Sequence, residues 1–303
     1  MSKLSLGVDI AGIKMKNPII TASGTFGYGL EYSQLIDIKN FGAIVTKTIT
    51  LEPRIGNPQP RIVEVVGGML NSIGLQNPGA KVFIEEKLPK LKGYRVPIIA
   101  NISGSKEAEF VKLADLLKDI GLSGLELNIS CPNVEHAGLF AQDADTTYKL
   151  VRKVRKVTSL PLIVKLTPNV TDITLIARAA EDGGANAISL INTLIGMSID
   201  IQTKRPKLAN VIGGLSGPVV KPVALRMVYE VFKKVHIPVI GIGGIMTSDD
   251  AIEFLLAGAS AVAIGTANFV NPNTCCEIIE GIKRYMKNNK LSNISDIVGR
   301  IKV

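Results

Sequence analysis

Eight short runs rich in β-branched residues, recurring along the whole chain, constrain this sequence more than any other feature. They read "PIITAS" (18–23), "GAIVTKT" (42–48), "PIIANIS" (97–103) and "GLELNIS" (124–130). The series continues with "PLIVKL" (161–166), "AISLINT" (187–193), "PVIGIGG" (238–244) and "AVAIGTA" (261–267). Segments with helical periodicity lie between most of them, such as "EAEFVKLADLLKDIG" and "DITLIARAAEDGG". Continuous apolar runs of this length suit strands covered on both faces, as in a parallel sheet. Eight strands alternating with helices over ~250–300 residues predict an α/β protein, a (β/α)8 TIM barrel, as a single domain over residues 1–303. A doubly wound open sheet is the competing architecture. No Gly-x-Gly-x-x-Gly follows the first run, and eight units exceed what that fold requires. Two connections are long: one after strand 2, "TLEPRIGNPQPRIVEVVGGMLNSIGLQNPG", and one after strand 6, "LIGMSIDIQTKRPKLANVIGGLSGPVVKP". Both insertions leave the C-terminal end of a strand, the face on which barrel enzymes build their sites.

Composition narrows the function. Hydrophobic residues make up 46% of the chain and charged residues 20%, the balance of a well-buried protein. No apolar stretch approaches the ~18–20 residues of a membrane span, and the N-terminus lacks a signal-peptide core, so no membrane insertion and a cytoplasmic location are expected. The net charge is +9. Its lysines are spread along helix-like segments such as "KLVRKVRKV" (149–157), there is no tryptophan, and no nucleic-acid motif is present. The charge reads as a solvated surface that also suits anionic ligands, not as a nucleic-acid face. Three cysteines, Cys131, Cys275 and Cys276, cannot build a four-thiolate cluster, and with two histidines no metal site is expected.

Strands of a barrel should be apolar, yet nearly every run ends in a polar residue. These are Ser23, Lys47 with Thr48, Asn101, Asn128, Lys165, and Asn192 with Thr193. In a barrel all of them converge on one mouth. Two lysines inside apolar strands require an anionic or strongly polar partner. Asparagine is a poor strand former, and its amide, both donor and acceptor, suits the imide-like edge of a planar heterocycle. The last two strands end in Gly243-Gly244 and Gly265-Thr266. Glycines there let backbone N–H groups approach a phosphate, in the loops where barrels bind one. A phosphorylated cofactor or substrate is expected.

Taken in order, "NPIITASGTFGYG", "GAIVTKTIT", "MLNSIGLQNPG", "NISCPN", "INTLIGM", "GGLSGPVVKPVALR" and "GIGGIMTSDDAIEFLLAGASAVAIGTA" resemble the FMN-dependent dihydroorotate dehydrogenases, from about residue 4 to the C-terminus. The likeness is greatest to the class 1B catalytic subunit. It implies oxidation of dihydroorotate to orotate in pyrimidine biosynthesis, with a hydride passing from C6 to FMN. A cysteine after strand four removes the C5 proton in class 1 members, and Cys131 stands at that place. By the same resemblance Ser23, Lys47, Thr48, Asn101, Asn128, Lys165, Ile191, Gly217, Gly243, Gly244, Gly265 and Thr266 would contact FMN. Orotate would meet Lys47, Asn71, Ser72, Ile73, Gly74, Leu75, Asn128, Asn192 and Thr193. Many relatives have alanine where this chain has Ser72. The segment after Cys131, "CPNVEHAGLFAQD", has the composition of a lid.

Class 1B members work with a second subunit carrying FAD and a [2Fe–2S] cluster, through which NAD+ accepts the electrons. The resemblance therefore implies a homodimer of this chain, completed by that subunit to a heterotetramer. Two alternatives stand beside this one. One is a fumarate-dependent class 1A enzyme; the other is a different FMN barrel such as a tRNA dihydrouridine synthase.

Overall fold

The computed structural model describes residues 4–129 and 140–302. Its central element is an eight-stranded parallel sheet. The strands are β1 (Ile19–Thr21), β2 (Ile44–Val45), β3 (Ile98–Ile102), β4 (Gly124–Asn128), β5 (Leu162–Leu166), β6 (Ala187–Leu190), β7 (Val239–Ile242) and β8 (Ala261–Ile264). Each falls within one of the eight runs read from the sequence. Neighbours pair in chain order from β2 to β8, and β8 pairs with β1. The ring closes between β1 and β2 through a parallel bridge of Ile20 with Ala43. Because β2 is only two residues long, a side chain completes that seam: Thr21 Oγ1 donates to Val45 O (3.1 Å) and accepts from Val45 N (2.9 Å).

Helices cover the outside of the ring and form the larger core. Phe110, Leu113, Ala114 and Leu117 on helix Glu107–Leu117 are buried, and so are Leu150, Val151 and Val154 on Ala144–Arg155. These spacings of three and four residues are the apolar stripe of an amphipathic helix. Inside the barrel sits a smaller cluster that includes Val45, Ile99, Ile163 and Ile240. An antiparallel hairpin, Val8–Ile10 with Ile13–Met15, closes the lower end and adds Ile10, Ile13 and Met15 to that cluster. Gly124, at the start of β4, makes room for the plug, since a Cβ there would lie 2.9 Å from Ile13 Cδ1.

At the opposite end the two long connections join each other. Ile62–Val65 and Gly68–Asn71, which follow β2, form one antiparallel sheet with Leu194–Met197 and Ile212–Ser216, which follow β6. This four-stranded sheet stands over the C-terminal ends of the barrel strands and walls one side of the cavity described next.

Candidate active site

The main cavity opens at the C-terminal ends of the strands, below the four-stranded sheet. Of the residues expected at a site, Ser23, Lys47, Thr48, Asn128, Lys165, Ile191, Asn192 and Thr193 line it from the barrel. Asn71, Ile73, Gly74 and Leu75 line it from the first long connection, and Gly217 from the second. Gly243, Gly244, Gly265 and Thr266 complete the wall over β7 and β8. Two expected contact residues do not line it. Asn101 is fully buried beneath Thr48, to whose hydroxyl its amide is bonded. Ser72 is also fully buried; its N–H donates to Arg61 O (2.8 Å) and its carbonyl accepts from Asn57 Nδ2 (3.0 Å). Cys131 and most of the expected lid lie outside the described residues.

The polar groups beneath the cavity are chained together. Thr48 Oγ1 donates to Asn101 Oδ1 (2.6 Å) and accepts from Asn128 Nδ2 (3.3 Å). Asn128 Oδ1 accepts from Asn192 Nδ2 (3.3 Å), and Asn192 Oδ1 accepts from the N–H of Thr193 (2.9 Å). Asn101 Nδ2 in turn donates to Glu126 Oε1 (2.6 Å). The sequence reading passed over Glu126, although the signal was present. Side chains two apart on a strand share a face, so an inward Asn128 places Glu126 inward as well.

Positive charge reaches the cavity from two strands. Lys165 is 4% exposed, and its ammonium donates to Ser23 Oγ (3.3 Å). Lys47 titrates below the ordinary lysine value, first because burial disfavours its charged form and then because the Arg61 guanidinium is close; Glu31 pulls the other way. A cationic cavity of this kind favours an anionic ligand over a neutral one.

On the other wall the backbone is the recognising surface. Gly217, Gly243 and Gly244 hold φ of 99°, 127° and 74°, a region side chains strain to enter. A Cβ on Gly244 would fall 2.9 Å from Lys221 N and 3.0 Å from Gly217 O. The Lys221 ammonium is taken up by Asp250 (2.6 Å) and Glu253 (3.1 Å). Asp250 also accepts from the N–H groups of Met246 (3.0 Å) and Thr247 (2.9 Å), which fixes the loop after β7. Gly265 differs: a Cβ there would meet nothing nearer than 3.5 Å, so the space before it is cavity. Such a glycine cradle fits a phosphate, and the amides and lysines opposite fit a planar, electron-accepting ring with imide edges. The residues present therefore fit FMN.

A (β/α)8 barrel with a phosphate cradle over its last two strands and amides with lysine ammonium groups over the others defines a flavin-class barrel oxidoreductase. Comparison with known proteins narrows this class. A family model described as dihydroorotate dehydrogenase matches residues 5–286. The chain is 56% identical over 301 residues to the "Dihydroorotate dehydrogenase B (NAD(+)), catalytic subunit" of Caldicellulosiruptor saccharolyticus, covering 99% of this chain and 100% of that one. It is 54% identical over 301 residues to the protein of the same description from Thermoanaerobacter pseudethanolicus, with the same coverage. For the Geotalea uraniireducens counterpart the identity is 52% over 303 residues, with 99% of both chains covered. The chain belongs to the dihydroorotate dehydrogenase family.

Proposed function

We propose that this protein is the catalytic chain of an NAD+-linked dihydroorotate dehydrogenase, converting dihydroorotate to orotate on the route to UMP. One observation carries the reading: lysines, amides and a glycine phosphate cradle share one cavity in a chain that matches such catalytic subunits end to end. The FMN-binding residues are Ser23, Lys47, Thr48, Asn128, Lys165, Ile191, Gly217, Gly243, Gly244, Gly265 and Thr266, with Asn101 acting from beneath. FMN, when bound, supplies the acceptor for the hydride leaving C6 of the substrate.

The chain's own residues do the rest. Cys131, three positions beyond the last residue of β4 in sequence, removes the proton from C5. A thiol of reference pKa ~8.5 reaches the thiolate near neutral pH far more readily than a serine hydroxyl. Lys47 and the amides of Asn128 and Asn192 stabilise the negative charge that develops on the carbonyl next to C5. The stretch Asn71–Leu75, with Thr193, orients the substrate, Ser72 through its backbone. The relatives' description as the catalytic subunit of an NAD(+) enzyme supports a second subunit; in this reading that subunit carries FAD and a [2Fe–2S] cluster and passes the electrons to NAD+. Two copies of this chain with two of that subunit would form the working heterotetramer. No helix among the described residues is long and apolar enough to cross a membrane, which is compatible with work in the cytoplasm.

The test is spectroscopic. The purified protein is expected to be yellow and to bleach when dihydroorotate is added without oxygen; a flavin that stays oxidised would sink the reading. Turnover with NAD+ should require the reductase subunit, and equal turnover with fumarate alone would replace NAD+ as the acceptor.

A further inference from the structure

Glu126 is the one buried carboxylate among the described residues, only 2% exposed, and it faces the barrel interior below the cavity. Its two oxygens are both occupied by neutral donors: Oε1 by Asn101 Nδ2 (2.6 Å) and Oε2 by Ser189 Oγ (2.7 Å). No lysine or arginine of the described residues forms an ion pair with it. It does not line the cavity. Burying a carboxylate without a cation is costly, and a floor of this kind would fill well with an aliphatic residue. Stability alone does not explain its presence.

We infer that Glu126 is a positioning residue whose carboxylate, accepting at both oxygens, holds the floor end of the hydrogen-bond chain that presents donors and acceptors to the substrate. Asparagine and threonine side chains are ambivalent, each able to donate or accept. A run of such groups keeps one direction only while its ends are held: the N–H of Thr193, which can only donate, holds the mouth end at Asn192 Oδ1, and Glu126 holds the floor end at Asn101. Both oxygens of Glu126 accept, from Asn101 and from Ser189. Asn101 must therefore turn its Nδ2 toward Glu126 and its Oδ1 toward Thr48. Thr48 is then committed to donate to Asn101, which leaves its oxygen to accept from Asn128 Nδ2. Asn128 Oδ1 accordingly faces Asn192 Nδ2. Four consecutive side chains are thus held between two fixed ends, the Glu126 carboxylate at the floor and the Thr193 N–H at the mouth. In the reversed chain Asn128 would offer the opposite ends of its amide to the cavity.

This role rests on the proposed activity, because orotate is the probe. Glu126→Gln keeps the shape but can donate as well as accept, so it releases the floor end of the chain and leaves only the Thr193 end held. FMN-loaded Glu126→Gln should fold, and should bind orotate about tenfold more weakly, with a reduced orotate-induced change in the flavin spectrum. Thr48→Val interrupts the chain two links on and should also weaken orotate. The decisive reading is the double variant: if Glu126 acts through Thr48, it falls no further than the weaker single variant. Losses that multiply would show independent contributions and overturn the inference. An unchanged affinity and spectrum in Glu126→Gln would do the same. If that variant fails to fold, the cycle of Asn101→Ala with Thr48→Val decides by the same criterion. A wild-type flavin spectrum indifferent to orotate would overturn the activity and this role together, whereas a normal wild-type response with an unaffected Glu126→Gln would overturn only the role.

Discussion

The floor and the mouth of the barrel are built from the same eight strands and differ by about two residues of height. At the floor the inward side chains are Val45, Ile99, Ile163 and Ile240, closed from below by the plug residues Ile10, Ile13 and Met15. Two positions further along the same strands the inward side chains are Lys47, Asn101 and Lys165. The change from apolar to polar occurs on β2, β3 and β5, whereas Ala22 after β1 and Ile242 on β7 remain apolar; Glu126 and Ser189 bond to each other between the polar strands. This separates labour cleanly. The floor stabilises the fold by burial, and the mouth gives up that contribution to present polar groups to the cavity.

The separation would break if a mouth residue proved important for folding, or a floor residue for chemistry. Cys131→Ala should have the largest effect on the mouth side. Loss of a positioned general base typically lowers rate by 10²–10⁴-fold, so turnover should fall by about a hundredfold or more. Melting temperature, FMN content and orotate affinity should barely change. Near-normal turnover in a single-turnover reduction experiment would reject the assignment. On the floor side, Ile163→Ala removes three buried carbons from the inner cluster and should cost about 2–4 kcal/mol, read as a lower denaturation midpoint. The orotate affinity of the folded fraction should stay within about twofold. A floor variant that altered affinity more than stability would show that the two levels are mechanically coupled.

How far the sequence could be read follows the same division. The strands were legible because burial on both faces leaves continuous apolar runs, and the mouth because lysine and asparagine are out of place in such runs. The plug hairpin was not legible, since three-residue strands acquire their meaning only from the barrel end they cover. Nor was the four-stranded sheet, whose central pairing of Ser216 with Met69 joins segments nearly half the chain apart. Glu126 was overlooked for a different reason: a charged residue between two leucines reads as a surface position until the strand's facing is fixed. Asn101 and Ser72 were assigned to ligand contact on residue type and motif, but depth cannot be read from either. Asn101 is spent on Glu126 and Thr48, and Ser72 acts through its backbone.

A smaller effect tests the electrostatic side of the mouth. Lys47 loses its proton earlier than an ordinary lysine as pH rises, because burial and then Arg61 oppose the charge. An anionic ligand favours the protonated form. Orotate affinity should therefore decline with rising pH, beginning below the ordinary lysine range. Lys47→Ala should weaken orotate about tenfold, as for loss of a charged hydrogen bond, and flatten that alkaline decline. A slope that persists in the variant would assign it to another group.

The smallest expected effect is a gain. Ser72 Oγ is buried and has no hydrogen-bond partner among the described residues, while the same residue's N–H and carbonyl are both engaged. The backbone thus holds the substrate loop in place, and the hydroxyl contributes only the cost of its lost hydration. Ser72→Ala should leave the loop, FMN content and orotate affinity unchanged and raise stability by about 1 kcal/mol. For a chain of this length that corresponds to a rise in Tm of about 2 °C in calorimetry. A fall in Tm would mean that the hydroxyl is satisfied by a bound water, and that this part of the mouth, like Asn101 below it, belongs to a hydrogen-bonded layer extending deeper than the cavity wall.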